Sequence, residues 1–376
     1  MNILILHGSS DLYGASKILL VTARMLRKQG HMPIVVLSGP GPLAAELEKE
    51  GIEVLFVQLG ILRRKYKSIP GILNRLCVLR KAFNTIRQLI RDKNIQVVYS
   101  NTTAVIVGAF AAKATHTRHV WHVHEIIEKP RWVAWFLGKL VNRYSTAVIV
   151  VSQAVAQNWG RYVAAHKLKR VYNGIDYAPY QHPSNQLRTE LALPPHTLIV
   201  GMVGRVHHWK GQDYFLQIAA ELAKQVSSIH FVMIGDVFPG YEYLYEKLST
   251  QKKEAGLESL VTDMGYRTDV PALLQGFDIF VLPSILPDPF PTVILEAMAS
   301  GKPVVATRHG GALEMVDEGR TGILIPVNDA RSAADLMQPW ILDPLQRSAM
   351  GEAGRQRVLT HFSLEAFEAE MIKVLE

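Results

Sequence analysis

Leu198-Ile199-Val200-Gly201-Met202-Val203-Gly204-Arg205-Val206-His207-His208-Trp209-Lys210-Gly211 decides how this 376-residue chain is organised. A six-residue apolar run, a turn bounded by glycines and a helical stretch beyond it open a strand–helix repeat. The repeat starts afresh here, because Pro179, Pro183, Pro194 and Pro195, set among Ser, Asn and Gln, interrupt an earlier one. The interruption reads as a linker over 181–196, with a short helix at 185–192. Upstream, the sequence predicts strands at Asn2–Leu6, Ile34–Leu37, Val54–Val57, Val97–Tyr99, His119–Trp121 and Ala147–Val151. Downstream they are Leu198–Val203, His230–Ile234, Leu260–Met264, Ile279–Leu282, Pro303–Ala306 and Ile323–Ile325. Such alternation argues for an α/β protein of two Rossmann-like, doubly wound parallel-sheet domains, 1–180 and 197–362. The chain is longer than the ~250–300 residues one core ordinarily holds. The sequence predicts a last helix over 363–376, packing back on the first domain. Two such sheets are expected to face each other across a cleft, since ligands of open α/β sheets bind at the carboxyl ends of the strands.

Composition narrows the class. With 48% hydrophobic and 20% charged residues, the chain is neither disordered nor collagen-like. Cys77, the single cysteine, forms no intramolecular disulfide. The apolar runs fall short of the ~18 residues of a membrane span. The first residues run straight into a strand without the basic segment and apolar core of a signal peptide. The expectation is a cytoplasmic protein. The net charge of +8 hides an asymmetry: residues 1–176 carry net +16 and residues 177–376 net −8. A basic half suits nucleic acid, an anionic membrane or a phosphorylated substrate, and charge alone does not choose among them.

Several stretches carry chemistry. Gly8-Ser9-Ser10-Asp11-Leu12-Tyr13-Gly14-Ala15 follows the first strand and opens a helix at 16–29, a place suited to anions. Gly39-Pro40-Gly41-Pro42-Leu43-Ala44 matches the dinucleotide fingerprint, but it follows the second strand and Pro42 removes an N–H; it reads as a plain turn. Apolar residues at 72, 76, 79, 83, 86 and 90 form a helical stripe, and ten Lys and Arg between 61 and 93, including Arg63, Arg64, Lys65 and Lys67, stand against one acid. That segment reads equally as a core helix with a solvated basic face or as a site for anionic headgroups or a diphosphate acceptor. Trp132 and Trp135 sit beside Lys129 and Arg131, a second candidate for a membrane surface. In Trp121-His122-Val123-His124-Glu125 the two histidines have no supporting cluster for a closed metal site, and the strand is expected to end by His124.

Arg205 and Lys210, five apart in a Gly-flanked loop, are placed to grip a diphosphate, one as a planar fork and the other as a point charge. Downstream, Asp288-Pro289-Phe290-Pro291-Thr292-Val293-Ile294-Leu295-Glu296 holds an extended Pro-rich loop. Thr292 is expected to cap the following helix, whose N–H groups near Val293 and Ile294 face an anion. Asp288 and Glu296 flank that place, one for a sugar and one for a ribose.

At these residues the sequence resembles the retaining GT-B glycosyltransferases of family four, the bacterial group 1 enzymes. Asp288 and Glu296 match that family's Glu-x7-Glu motif, Arg205 and Lys210 its Gly-Arg…Lys-Gly pair, and Asn173-Gly174-Ile175-Asp176 its Asn-Gly-Ile/Val-Asp signature. Val151-Ser152 and Gly310-Gly311…Glu314 match further positions. The resemblance implies an acceptor-binding first domain and a nucleotide-sugar-binding second one. It implies that Arg205 and Lys210 neutralise the diphosphate, that Glu296 bonds the ribose, and that Asp288 and His124 contact the donor sugar. Gly14, Gly204, Tyr266, Pro289, Phe290, Thr292 and Val293 are then further donor-binding residues. Asp288 departs from the usual Glu, and Tyr13-Gly14 from the usual Gly-Gly.

The implied reaction moves a hexose from a nucleotide-diphosphate sugar to a glycan hydroxyl with retained configuration. No Asp-x-Asp occurs in the sequence, so cations and helix N-termini would serve in place of a metal clamp. No cofactor is expected. A lipid-linked acceptor, polysaccharide or lipopolysaccharide synthesis, and a peripheral place on the inner face of the cell membrane follow as expectations. The rivals are an epimerase of the UDP-N-acetylglucosamine type, against which the Asp288…Glu296 and Arg205/Lys210 pairs speak, and a basic nucleic-acid-binding protein. For the latter, no binding motif appears and no aromatics interleave with the bases, so nucleic acid is not an expected partner.

Overall fold

Strands buried on both faces read as unbroken apolar runs, and Ile3-Leu4-Ile5-Leu6 is such a run, fully buried in the first strand. The computed structural model describes residues 1–61 and 69–376. Its first sheet comprises β1 (Asn2–His7), β2 (Met32–Leu37), β3 (Glu53–Phe56), β4 (Val97–Asn101), β5 (Arg118–Val123), β6 (Ala147–Val150) and β7 (Leu168–Arg170). All pairings are parallel and the order is β3-β2-β1-β4-β5-β6-β7. The second sheet comprises β8 (Leu198–Val203), β9 (Ile229–Ile234), β10 (Val261–Asp263), β11 (Ile279–Leu282), β12 (Val304–Thr307) and β13 (Gly322–Ile325). It is also parallel, in the order β10-β9-β8-β11-β12-β13. Each order reverses direction once, between β1 and β4 and between β8 and β11, which is the topological switch point of a doubly wound sheet.

Twelve of these strands coincide, within a few residues, with apolar runs in the sequence. The thirteenth, Leu168-Lys169-Arg170, carries no apolar run because it is an edge strand whose two bases are exposed. The basic helix spans Ile69–Asp92. Its stripe buries Ile86 and Ile90, with Ala82 beside them, but Leu76 is 57% exposed, so the apolar face is not buried along all of the stripe. Arg63, Arg64, Lys65 and Lys67 lie outside the described residues.

The chain divides into two compact units, Met1–Gly174 with Leu364–Glu376, and Ile175–Ser363. The stretch 181–196 is therefore not a linker. It lies within the second unit, where the short helix Gln186–Glu190 buries Leu187 completely. Arg188 donates to Asp278 at 2.7 Å and to the Thr197 carbonyl at 2.9 Å. The prolines there shape a packed segment, and the division falls at Gly174/Ile175, inside the Asn-Gly-Ile-Asp run. The last helix, Leu364–Leu375, belongs to the first unit and packs beside the helix Gly14–Lys28. Its final carbonyls, orphaned in any helix, are taken by Arg118: the two ends of the guanidinium donate to Leu375 and Val374, each at 2.6 Å.

No helix among the described residues is long and apolar enough to cross a membrane. Charge-assisted bonds of the Arg118 kind contribute about 1.5–3 kcal/mol. Arg118→Met is expected to lower stability by about 1–3 kcal/mol, read as an earlier urea midpoint of the first unit, while the exposed Arg131→Met leaves that midpoint in place. Equal midpoints for both variants would remove this role from Arg118.

Candidate active site

In the first unit the carboxyl ends of β1, β4 and β5 carry polar residues where apolar runs stop. Register sets Leu6 opposite Ser100 and Asn101 opposite His122, which brings His7, Asn101 and His122 abreast. β5 ends at Val123, so His124 is the first residue beyond the strand and is partly exposed. His122 is enclosed and bonded through Nδ1 to the Tyr99 hydroxyl. The two imidazoles lie 4.0 Å apart between centroids. Burial pushes His7 down to about 4 and His122 to about 3, and it holds His124 well below its ordinary value, so all three are neutral at pH 7. Glu125 accepts from the N–H groups of Thr103 and His124, each at 3.0 Å. Burial nevertheless pushes its carboxyl up to about 7.

The first loop leads from β1 to the helix Gly14–Lys28, and Gly14 stands at the helix start with open space where a Cβ would project. The turn Gly39–Pro42 braces this loop: the Leu43 N–H donates to the Ser10 carbonyl at 3.0 Å, and Ser10 bonds the Gly39 carbonyl. The near-fingerprint at 39–44 is thus a structural turn.

In the second unit the loop after β8 carries Arg205 and Lys210. The Arg205 guanidinium lies 3.4 Å from the centroid of the Phe238 ring, a cation–π contact that orients it. Lys210 forms an ion pair with Asp288, and the Ser284 hydroxyl approaches the same carboxylate at 3.4 Å. Gly211 permits this loop: its φ is +79° and a Cβ would stand 1.9 Å from the Pro283 carbonyl oxygen. On the facing loop the Gly311 N–H donates to the Asp288 carbonyl at 2.8 Å, and Gly310, at φ +59°, leaves no room for a Cβ beside Asp288. Asp288 is held from three sides.

The helix Thr292–Ala299 begins after Pro291, whose extended backbone makes Pro291 the N-cap. Thr292 is therefore the first residue inside the helix and makes no side-chain cap, contrary to expectation. Ile294 spends its N–H on the Pro291 carbonyl at 3.0 Å, which leaves the Val293 side of the turn to face an anion. Glu296 is 1% exposed and bonded to Tyr180, whose hydroxyl is pushed far up by burial and by that carboxylate. Phe290 is buried edge-on against Phe362, centroids 5.5 Å apart, so only its backbone is placed to meet a ligand. Gly204 is the first residue beyond β8, and Tyr266, 47% exposed, follows Gly265 in the loop after β10.

Two family models cover nearly all of this. Residues 184–357 match "Glycosyl transferases group 1" and residues 13–178 match "Glycosyltransferase Family 4". The chain belongs to the group 1, family 4 glycosyltransferases. Among solved structures of this fold, Anabaena HepE in complex with UDP and glucose is 28% identical with a TM-score of 0.87, covering 100% of this chain and 99% of that one. The two parallel sheets are those of a GT-B glycosyltransferase. A lipopolysaccharide core biosynthesis mannosyltransferase of Rhizobium leguminosarum bv. viciae is 30% identical over 197 residues, 52% of this chain and 55% of that one, so the match spans about half of the relative's own length. An Escherichia coli UDP-Gal:alpha-D-GlcNAc-diphosphoundecaprenol alpha-1,3-galactosyltransferase is 23% identical over 79% of each chain.

In the second unit, Arg205 and Lys210 stand on the loop after β8, and Asp288 and the start of the helix Thr292–Ala299 follow β11, the two strands that flank the switch point. His124 and Gly14 flank that of the first. Trp132 and Trp135 are 70% and 56% exposed on the helix Arg131–Tyr144. Sequence reading passes over Asn101, Glu125, Tyr180 and His309. His309 Nε2 donates to the Ser284 carbonyl at 2.8 Å, beside Asp288. The signal for Asn101 was a polar residue closing an apolar strand next to β1; Tyr180, four residues past Asp176, carried none.

Glu125 supplies a test of the first half-site. Between the ordinary carboxyl range and about pH 7 the folded glycosyltransferase holds a proton that the unfolded chain has released, so stability falls as pH rises through that window and stays reduced above it. Glu125→Gln is expected to flatten this slope and to be more stable than the parent above pH 7 by about 1–3 kcal/mol. Urea midpoints measured from pH 4.5 to 8 read it; parallel curves for the two proteins would show that Glu125 ionises normally.

Proposed function

We propose that this chain is a retaining, metal-independent hexosyltransferase that moves a sugar from a nucleotide diphosphate to a glycan hydroxyl, on a lipid-linked acceptor in cell-surface polysaccharide or lipopolysaccharide synthesis. The observation that carries the reading is the Lys210–Asp288 ion pair, with Arg205 on the same loop and a helix N-terminus after the strand beside it, at the switch point of one sheet. HepE was solved with UDP and glucose and with UDP-glucose, and relatives are named for lipopolysaccharide core and diphosphoundecaprenol acceptors, which supports the donor and acceptor classes.

Arg205 and Lys210 bind the diphosphate, and the first turn at Val293 adds N–H dipoles to it. Lys210 already shares its charge with Asp288, so the carboxylate sets the ammonium in place and is itself available to sugar hydroxyls. Glu296, fixed by Tyr180, takes the ribose hydroxyls. In the transfer, the bond from the anomeric carbon to the phosphate oxygen breaks as the acceptor oxygen bonds that carbon on the same face. The acceptor proton passes to the departing phosphate oxygen, so no enzyme nucleophile is required. Arg205→Ala or Lys210→Ala is expected to reduce turnover at least ~100-fold by removing leaving-group stabilisation; near-parental turnover by both folded variants would refute the diphosphate site. Exhaustive chelation leaves the rate largely intact, and a loss restored by Mg²⁺ or Mn²⁺ would refute metal independence.

The net +16 of the first half and the exposed Trp132, Trp135 and Phe136 support docking on an anionic membrane surface. Bases near such a surface contribute ~1 kcal/mol each, screened by salt. Sedimentation with phosphatidylglycerol vesicles is expected to exceed that with neutral ones, to fall at high salt and to weaken in a Trp132→Ser/Trp135→Ser double variant. Equal sedimentation of parent and variant would rule out this surface.

A further inference from the structure

The polar cluster at the end of the first sheet is a hydrogen-bond chain whose direction can be read from its fixed ends. At one end the Ser16 hydroxyl donates to Asp11 Oδ1 at 3.0 Å. Having spent its hydrogen there, Ser16 Oγ accepts from His7 Nε2, also at 3.0 Å. A neutral His7 with its proton on Nε2 has a bare Nδ1, and this nitrogen takes an N–H from the Asn101 amide at 3.1 Å. The 3.5 Å approach of the same Nδ1 to the Asn101 carbonyl is the weaker alternative.

The orientation of Asn101 is fixed independently. Its amide nitrogen also lies 3.1 Å from the Ala15 carbonyl, which only accepts. The amide oxygen therefore faces the other way, towards His124 Nε2 at 2.9 Å. An amide oxygen only accepts, so His124 carries its proton on Nε2. All links run one way, from His124 through Asn101, His7 and Ser16 to the Asp11 carboxylate, an arrangement in which each bond polarises the next. Asp11 is anchored in the first loop by the Tyr13 N–H at 3.1 Å and the Ser9 hydroxyl at 2.7 Å. Asn101 is fully buried, while His124 is partly exposed and its Nδ1 bonds no described residue.

We propose that Asn101 is a positioning residue that locks His124 in the Nε2–H tautomer, leaving Nδ1 as an acceptor for a hydroxyl of the donor sugar. The proposal rests on the glycosyltransferase reading for the sugar contact, but the tautomer follows from the geometry alone. An imidazole held this way selects groups that donate a hydrogen bond: it accepts from a hydroxyl and is not satisfied by a fluorine or a hydrogen at the same position. Because the chain ends in the loop that opens the helix Gly14–Lys28, the loop and the tautomer are set together. The neutrality of His7, His122 and His124 is what makes the choice of tautomer decisive, since an imidazolium would donate from both nitrogens.

Nitrogen-15 NMR of the full chain labelled at its histidine rings tests this without turnover, with the His124 signals assigned by their loss in His124→Gln. At pH 7 the expected result is a protonated Nε2 and a bare Nδ1 at residue 124. In Asn101→Leu, close in size and without polar atoms, the two tautomers are expected to mix. A protonated Nδ1 in the parent would overturn the proposal, as would an unchanged tautomer in a folded Asn101→Leu. The parent measurement decides even where the variant fails to fold. UDP-glucose and GDP-mannose are then added, each against its nucleotide alone. A shift of the bare Nδ1 signal with the nucleotide sugar and not with the nucleotide supports the sugar contact, and kcat/KM for that donor is expected to fall about tenfold in Asn101→Leu. Donor binding that raises thermal stability without moving Nδ1 would overturn the contact. No thermal response to any nucleotide sugar would instead sink the glycosyltransferase reading, and the contact with it.

Discussion

Everything functional in this protein depends on a reversal of winding. In each sheet the crossovers from one middle strand go to one face and those from its neighbour go to the other, β1 against β4 and β8 against β11. No connection then covers the carboxyl ends of those two strands. The apolar runs that build the strands have to stop there, and the residues that follow are polar because they face a crevice. His7, Asn101, Arg205 and the loop leading to Asp288 all stand at that boundary. Their chemistry is a consequence of where a parallel sheet cannot close over itself.

The polar ends of the two sheets differ in their electrostatics. The second unit keeps its cations in place beforehand: Arg205 lies on an aromatic face and Lys210 on a carboxylate. Preparing a cation with an anion costs part of its attraction for the ligand, but it removes the reorganisation that a free lysine would undergo on binding. The first unit presents neutral imidazoles and an elevated carboxyl, groups whose hydrogen-bond direction is fixed and whose charge is suppressed by burial.

The fold was legible because a buried parallel strand leaves so plain a mark. Leu198–Val203 and Ile279–Leu282 stand in the structure with the ends that their apolar runs suggest. β7 was illegible for the complementary reason: an edge strand carrying Lys169 and Arg170 has no burial to announce. The prolines between 179 and 195 misled because proline marks a break in regular structure, whether or not the broken segment is packed; the buried Leu187 shows that here it is. In the candidate site, charged residues such as Arg205, Lys210 and Asp288 stand out by type and spacing. Asn101 and Tyr180 act by holding a neighbour that lies far along the chain, and no local pattern encodes such a partner. Thr292 was misplaced by a single residue, because Pro291 already supplies the extended backbone that a capping residue needs.

The grip of Arg118 on the carbonyls of Val374 and Leu375 makes the first unit discontinuous in sequence, with the whole second unit inserted before its final helix. The order of synthesis then matters. The second unit is continuous and has all of its parts once residue 363 has left the ribosome. The first unit, although translated earlier, lacks its closing helix until residues 364–376 have emerged. The helix Gly14–Lys28 keeps an uncovered flank during that interval, and the basic, aromatic surface of the first unit is present on a body that is not yet closed. Closure of the first unit therefore waits until the whole second unit has been translated.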